Sequence, residues 1–512
     1  MANPINITPG HGKGGRHPTA ETLAAAAKAV ALAGHDDPGM FGRMFSNLPG
    51  LKVPDAALQE LADAMKDSNP PADPQPADGS GQVPADAGDN EHIPAGFTYL
   101  GQFIDHDITL DLTSLAEKEE DPLATENFRT PRLDLDALYG LGPDGSPQLY
   151  ARSGGPGASP GPKFFIGKTT DTTNEGVFRN DLPRSPEGFA LIGDHRNDEN
   201  LLVQQTHLAM LKFHNKVCDM LAGSTSPPPN LFAEARKIVT WHYQWMVLHD
   251  FVERLTEDGI VARILHDGRK FYRFKKVPYM PVEFSAAAYR LGHSMVRDKY
   301  SHNKNFEVTT LGLMFRFTGL SGGIMGEAGG TATFPTNWII DWRRYHEVNG
   351  AKTPGLRFNH TRKLDPRLAQ ALHSLPGGGG SLPFRNLRRG VMLGLPSGQD
   401  VAKHMKIKKP LTPAEIADGS PDGNAAKKHG LHEKTPLWYY ILKEAEKKGD
   451  GKRLGPVGAT IVAEVFIGLV AGDKNSYLSD TTWKPTLPAK TPGTFTMADL
   501  LNFVGDLNPL GV

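Results

Sequence analysis

Gln102, Asp105, His106 and Asp107 stand close together in the segment GFTYLGQFIDHDITL. On a helix the first three share one face, while Asp107 is turned about 100° from His106. A polar trio on an otherwise apolar helix is expensive to bury unless it lines a site. The chemistry open to it is proton transfer by the imidazole, with an amide and a carboxylate beside it. A core histidine satisfied by Asp gives the same pattern, and the chain has nineteen histidines.

Further along, Thr130, Arg132, Asp134 and Asp136 alternate in TPRLDLDALYG, so an extended loop would turn them toward one side. Two carboxylates, a hydroxyl and a carbonyl suit a hard cation such as calcium. A solvated acidic turn has the same spacing. Arg196 precedes Glu199 by three residues in GDHRNDENLL. That pairing also fits a surface ion pair at a helix start, where acidic groups are favoured by the helix dipole. His293 lies in SAAAYRLGHSMV, with Arg290 one turn earlier, and Asn386 in LPFRNLRRG, just after a glycine-rich turn.

The elements that must position these residues are nearly all helical by the spacing of apolar positions. The pattern predicts helices over 19–34, 55–67, 96–110, 199–221, 231–255, 285–300 and 454–472. Strand signals are few, with FRFTGL (315–320) the best of them. Residues 69–90 are rich in Pro, Asp and Gly, and read as a linker or a long surface loop. The expected architecture is mainly α with few short strands. Residues 1–92 form an N-terminal helical extension and linker, and 93–512 one large catalytic domain.

Composition narrows the function. Of 512 residues 39% are hydrophobic, enough for a buried core, and the net charge is −1. No basic stripe suggests a nucleic-acid partner. The one cysteine, Cys218, permits no intramolecular disulfide and no Cys-based metal cluster. The apolar run Leu454–Gly472 carries Glu464 near its middle, so it reads as a buried core helix rather than a membrane span. With no secretory signal at the N-terminus, the expectation is a cytoplasmic protein, export by another route remaining open.

In this order the motifs resemble those of the animal haem peroxidases, of the peroxidase–cyclooxygenase superfamily. GQFIDHD resembles the family's distal-helix motif, and the loop ending in Tyr139–Gly140 its calcium loop. Arg196, Glu199, His207, His214 and Asn215 match a family register without a gap, and LPFRN matches its Leu-Pro-x-x-Asn stretch. The likeness covers roughly residues 93–475. It implies haem b and calcium as cofactors, and hydrogen peroxide with a small electron donor (halide, thiocyanate or phenol) as partners.

The resemblance also implies roles. His106 would be the distal acid–base residue, with Gln102 holding distal water and Arg196 as distal cation. His293 would be the axial ligand of the haem iron, backed by Asn386. Asp105 and Glu199 would be the candidates for ester links to haem, and Arg290 and Arg389 the propionate partners. Calcium would take Asp107, Thr130, Asp134, Asp136 and the carbonyl of Arg132. Asn200 stands where a mammalian member carries a methionine that bonds to haem, so that bond is not expected.

The implied function is peroxide reduction through a ferryl intermediate. Two alternatives are a haem-dependent fatty-acid dioxygenase and a non-enzymatic haem- or calcium-binding scaffold. Dioxygenase members place a radical-forming tyrosine three residues before the proximal histidine. Here Arg290 occupies that position and Tyr289 is one residue further back.

Overall fold

Most of the apolar stripes become helices that converge on one core. The computed structural model describes residues 41–511, except 70, 111–126, 128, 153–157, 170–179, 187, 276, 316–334 and 376–379. The helix expected over 19–34, and all but Phe315 of the strand expected over 315–320, lie outside the described residues.

Helix α1 (Asp55–Ala64) buries Leu58, Leu61 and Ala62. Its partner is α5 (Leu382–Met392), whose Arg388 pairs with Asp55 at 3.2 Å. The segment ahead of residue 93 therefore packs into the same core as the helices beyond it. Part of the Pro-rich stretch is also held down: Ala77 N donates to Leu356 O at 2.9 Å, and Ala77 and Val83 cover Phe358.

A short strand, β1 (Asp89–Pro94), pairs antiparallel with β2 (His360–Arg362) and leads directly into α2 (Gly96–Ile108). Helix α3 (Leu201–Ala222) starts at Asn200, whose side chain accepts from Val203 N at 2.9 Å. Such an N-cap satisfies one of the free donors of the first turn. Helix α4 (Leu231–Met246) continues through a π-helical turn, Val247–Val252. That turn presents Phe251 to Gly101 of α2, where a Cβ would come within 3.0 Å of the ring.

The Leu454–Gly472 run forms α7 (Pro456–Gly472), a core helix as expected, which packs beside α6 (Leu437–Gly449). Its Glu464 accepts from Lys270 N, Phe271 N and Tyr272 N at 2.7–2.8 Å, which compensates the buried charge. Among the described residues no helix is long and apolar enough to cross a membrane.

One expected helix is not formed. Over 285–300 the chain makes a single turn, Val282–Ser285, breaks at Ala287, and runs as a 3₁₀ helix from Ala288 to His293. Helical spacing missed the break because the 3₁₀ turn has nearly the same period. Trp438 Nε1 of α6 takes the Arg290 carbonyl at 3.2 Å, which an α-helix would have used itself. Small residues, Ala286 to Ala288, let this tight segment sink into the core.

Candidate active site

Helix α2 positions the distal residues. His106 is buried, and its Nδ1 lies 2.8 Å from Asn197 Oδ1, so the N–H of the neutral ring donates to that amide. Asn197 Nδ2 in turn reaches His207 Nδ1 on α3 at 3.0 Å. Burial and then the nearby Arg196 charge pull the His106 pKa down to about 4. The imidazole is therefore neutral near pH 7, with Nε2 free to accept a proton.

Gln102, one turn before His106, links the two chain segments. Its Nε2 donates to Glu199 Oε1, and its Oε1 accepts from Asn200 Nδ2 at 2.9 Å. Asn200 thus caps α3 with its oxygen and orients Gln102 with its nitrogen. Glu199 stands 4.0 Å from His106 Nε2, and burial pushes its carboxyl up to about 7, although the side chain is 32% exposed. Asp105 accepts from Thr109 Oγ1 at 3.1 Å.

Arg196 stands beside the end of α2 with Nε and Nη2 engaged. Its Nη2 donates to the carbonyls of His106 (3.1 Å) and Thr109 (2.5 Å), and Nε and Nη2 both bind Asp194. It clamps the C-terminal end of α2 while keeping its charge near His106. Asp194 also binds Arg129, which pairs with Asp136 at 3.3 Å. Burial alone would raise the Asp194 carboxyl, but Arg196 and Arg129 outweigh it and hold the group well below the carboxylate range.

On the other side, His293 ends the 3₁₀ helix. Its Nδ1 lies 2.7 Å from Asn386 Nδ2 on α5, a contact that leaves Nε2 unengaged. Burial, then Arg290, drives its pKa to about 3, so the ring is a neutral donor suited to a metal. A Cβ added at the neighbouring Gly292 would meet nothing within 4 Å. The two histidine-bearing segments touch, since Tyr289 OH donates to Gly101 O at 3.0 Å. Arg290 Nε donates to Ser285 O at 2.9 Å, and Arg389 is half-buried on the face of α5 one turn beyond Asn386.

The third group is acidic. Carboxylate oxygens of Asp107, Asp134 and Asp136 lie within 4.8 Å of one another. Thr130 Oγ1 joins them, donating to Asp134 Oδ2 at 3.0 Å, and the Thr130 carbonyl accepts from Arg132 N at 2.7 Å. They do not converge by the alternation of an extended loop. Leu135 takes a left-handed turn (φ 59°), and its N–H donates to Asp107 Oδ2 at 3.3 Å. Such backbone costs about 1–3 kcal/mol and persists where the surroundings enforce it. Asp107 is fully buried, and its Oδ1 has no hydrogen-bond partner among the described residues. Burial, then Asp136 and Asp134, raises the Asp107 carboxyl well above its usual range, and burial with Asp136 raises Asp134 to about 7. A divalent cation would relieve this cost, so the donor set fits one.

Sequence patterns did not single out Asn197 and Asp194. Both flank Arg196 within GDHRNDENLL, and their signal is only that proximity.

The chain belongs to the animal haem peroxidase family, whose model matches residues 113–487. The Gln102–Asp107 motif lies just upstream of the matched span. Among curated relatives, a peroxidasin homologue of Caenorhabditis elegans is 23% identical over 314 residues, 58% of this chain and 22% of the relative. A peroxidase-like protein of Margaritifera margaritifera is 30% identical over 120 residues, 21% of this chain and 14% of the relative. The chain thus spans well under a third of the length of these relatives.

Of solved structures, peroxidase A of Dictyostelium discoideum is similar with a TM-score of 0.59 and 16% identity, over 92% of this chain and 94% of that one. The fatty acid alpha-dioxygenase of Oryza sativa is similar with a TM-score of 0.56 and 15% identity, over 92% and 80%. At such identities the likeness is one of fold.

Proposed function

We propose that this chain is a haem-dependent peroxidase that reduces hydrogen peroxide and oxidises a small electron donor. One observation carries the reading: two neutral histidines, His106 buried and His293 half-buried, each meet an asparagine at Nδ1 and sit on segments packed against each other.

His293 would hold the haem iron through Nε2, and Asn386, with its amide oxygen turned to the ring, would accept from Nδ1–H. Arg290 and Arg389 would meet the propionates, and Asp105 and Glu199 are the carboxylates available for ester links. Haem, when bound, supplies the two-electron redox chemistry. His106 Nε2 takes the proton of the incoming peroxide and returns it to the departing oxygen, which leaves as water. General acid–base work of this kind typically contributes on the order of 10²–10⁴-fold. Asn197 keeps His106 in the accepting tautomer. Arg196 helps to keep it neutral and fixes the end of its helix. Gln102 and Glu199 line the same face and hold water there.

Calcium would bind Asp107, Asp134 and Asp136, with Thr130 and the Arg132 carbonyl completing an oxygen shell. Asp107 follows His106 directly, so the ion is structural support for the distal helix.

The dioxygenase alternative gains nothing from Tyr289. Its hydroxyl is committed to the Gly101 carbonyl, and its ring is stacked on Phe284 at 4.8 Å. The test is the absorption spectrum of the haem-loaded protein before and after an equivalent of peroxide, in wild type and His106→Ala. A Soret change within milliseconds that slows at least about a hundredfold in the variant is expected. Equal rates would overturn the role of His106, and failure to bind haem the whole reading.

A further inference from the structure

At the opposite end of α2 from His106 there is a cavity of about 160 Å³. It is remote from the proposed chemistry: from Phe97 to His106 the helix rises about 13 Å. Its apolar wall is Pro94, Phe97 and Ala498, and its charged lining is Arg254, Lys490, Asp250, Glu347 and Asp499. The volume is on the scale of the roughly 150 Å³ at which an engineered cavity accepts benzene.

The carboxylates are largely engaged. Asp250 accepts from Arg254 Nε at 2.7 Å and from Met497 N at 2.9 Å. Asp499 accepts from Lys490 N at 2.8 Å and from Thr496 N at 2.9 Å. Glu347 lies 3.8 Å from Lys352 Nζ. Arg254 spends only Nε on this network, and its other donors remain. Neither Lys490 Nζ nor the Nη atoms of Arg254 have an acceptor among the described residues. The Arg254 guanidinium lies over the Phe97 ring, 4.6 Å from its centroid, so its donor edge is presented beside an apolar surface. Lys490 is exposed and crosses Gly350 so closely that a Cβ there would meet Nζ. The wall also contains His346, 1% exposed, whose Nε2 has no hydrogen-bond partner among the described residues.

We propose that this cavity is a second ligand site, which binds a small organic carboxylate. The carboxylate would bridge Arg254 and Lys490, and its apolar body would lie against Phe97 and Pro94. Arginine suits this task because its planar fork matches a carboxylate. The proposal does not depend on the peroxidase reading, since none of these residues belongs to that site.

The probe is benzoate, titrated by calorimetry into the haem-loaded full chain, with inorganic phosphate as comparison. Benzoate should bind one site without moving the Soret band, and Lys490→Gln should weaken it about tenfold. The Lys490 ammonium holds no carboxylate or carbonyl of the fold, so Lys490→Gln should fold; Arg254→Gln, which also loses the Asp250 pair, is the second variant. Benzoate binding that shifts the Soret band and ignores both substitutions would place the ligand elsewhere and overturn the proposal. So would phosphate binding as tightly as benzoate, or no binding of either.

Discussion

His106 Nδ1 and Asn197 Oδ1 are 2.8 Å apart, although ninety-one residues separate them in the chain. The contact settles which nitrogen of the ring carries the proton in this orientation. It makes Asn197 a positioning residue for any proton transfer at Nε2.

Asn197→Ala should therefore slow peroxide cleavage by about tenfold to a hundredfold while leaving haem affinity near wild type. Stopped-flow mixing with peroxide, alongside a haem titration, separates the two. A variant that reacts at the wild-type rate would show that the tautomer is fixed in another way.

The acidic cluster predicts dependence on calcium. Without a cation, buried Asp107 and half-buried Asp134 and Asp136 face one another. At about a hundredfold excess over Kd, calcium should stabilise the fold by about 2.7 kcal/mol relative to chelator. Thermal unfolding with and without calcium measures this, and Asp107→Asn should shrink the increment. Equal melting temperatures in both conditions would remove the cation from the account.

Asn386→Leu tests the other histidine. Without the Asn386 amide at Nδ1, His293 loses its orienting partner, and haem affinity should fall about 10–100-fold. Haem titration followed at the Soret band reads the loss. Wild-type affinity would mean that packing alone holds the ring.

A pH dependence arises from His242, which belongs to none of these groups. Its Nδ1 lies 2.7 Å from Ile238 O, and its Nε2 accepts from Thr486 N (3.0 Å) and Leu487 N (3.2 Å). Burial lowers its pKa to about 4 against an unfolded value near 6.5. Between these values the unfolded chain binds a proton that the folded one refuses. Stability from this group is thus full above about pH 6.5 and is lost as pH falls toward 4, by up to about 1.4 kcal/mol per pH unit. Urea unfolding at pH 7 and pH 5 measures the slope, which should be shallower in His242→Gln by about that amount. An unchanged slope would assign it to other buried histidines.

Local sequence specified most of the elements and the residue types of the site. Helical spacing put Gln102, Asp105 and His106 on one face, and apolar patterning located α2, α3, α4 and α7, because both depend on neighbours within a turn or two. Glu464 marked α7 as a core helix, though not which backbone amides would receive the charge.

The remaining features came from contacts between distant segments. For Arg196, expected as the distal cation, the sequence did not show that Nε and Nη2 bind Asp194 and the carbonyls that end α2. The calcium loop looked extended, but the left-handed turn at Leu135, held by Asp107 twenty-eight residues earlier, is what brings its carboxylates together. The helix expected around His293 tightened into a 3₁₀ turn when Trp438 took its carbonyl. Spacing fixes which side chains share a face, but each hydrogen-bonding group answers to whatever partner the fold brings within about 3 Å of it.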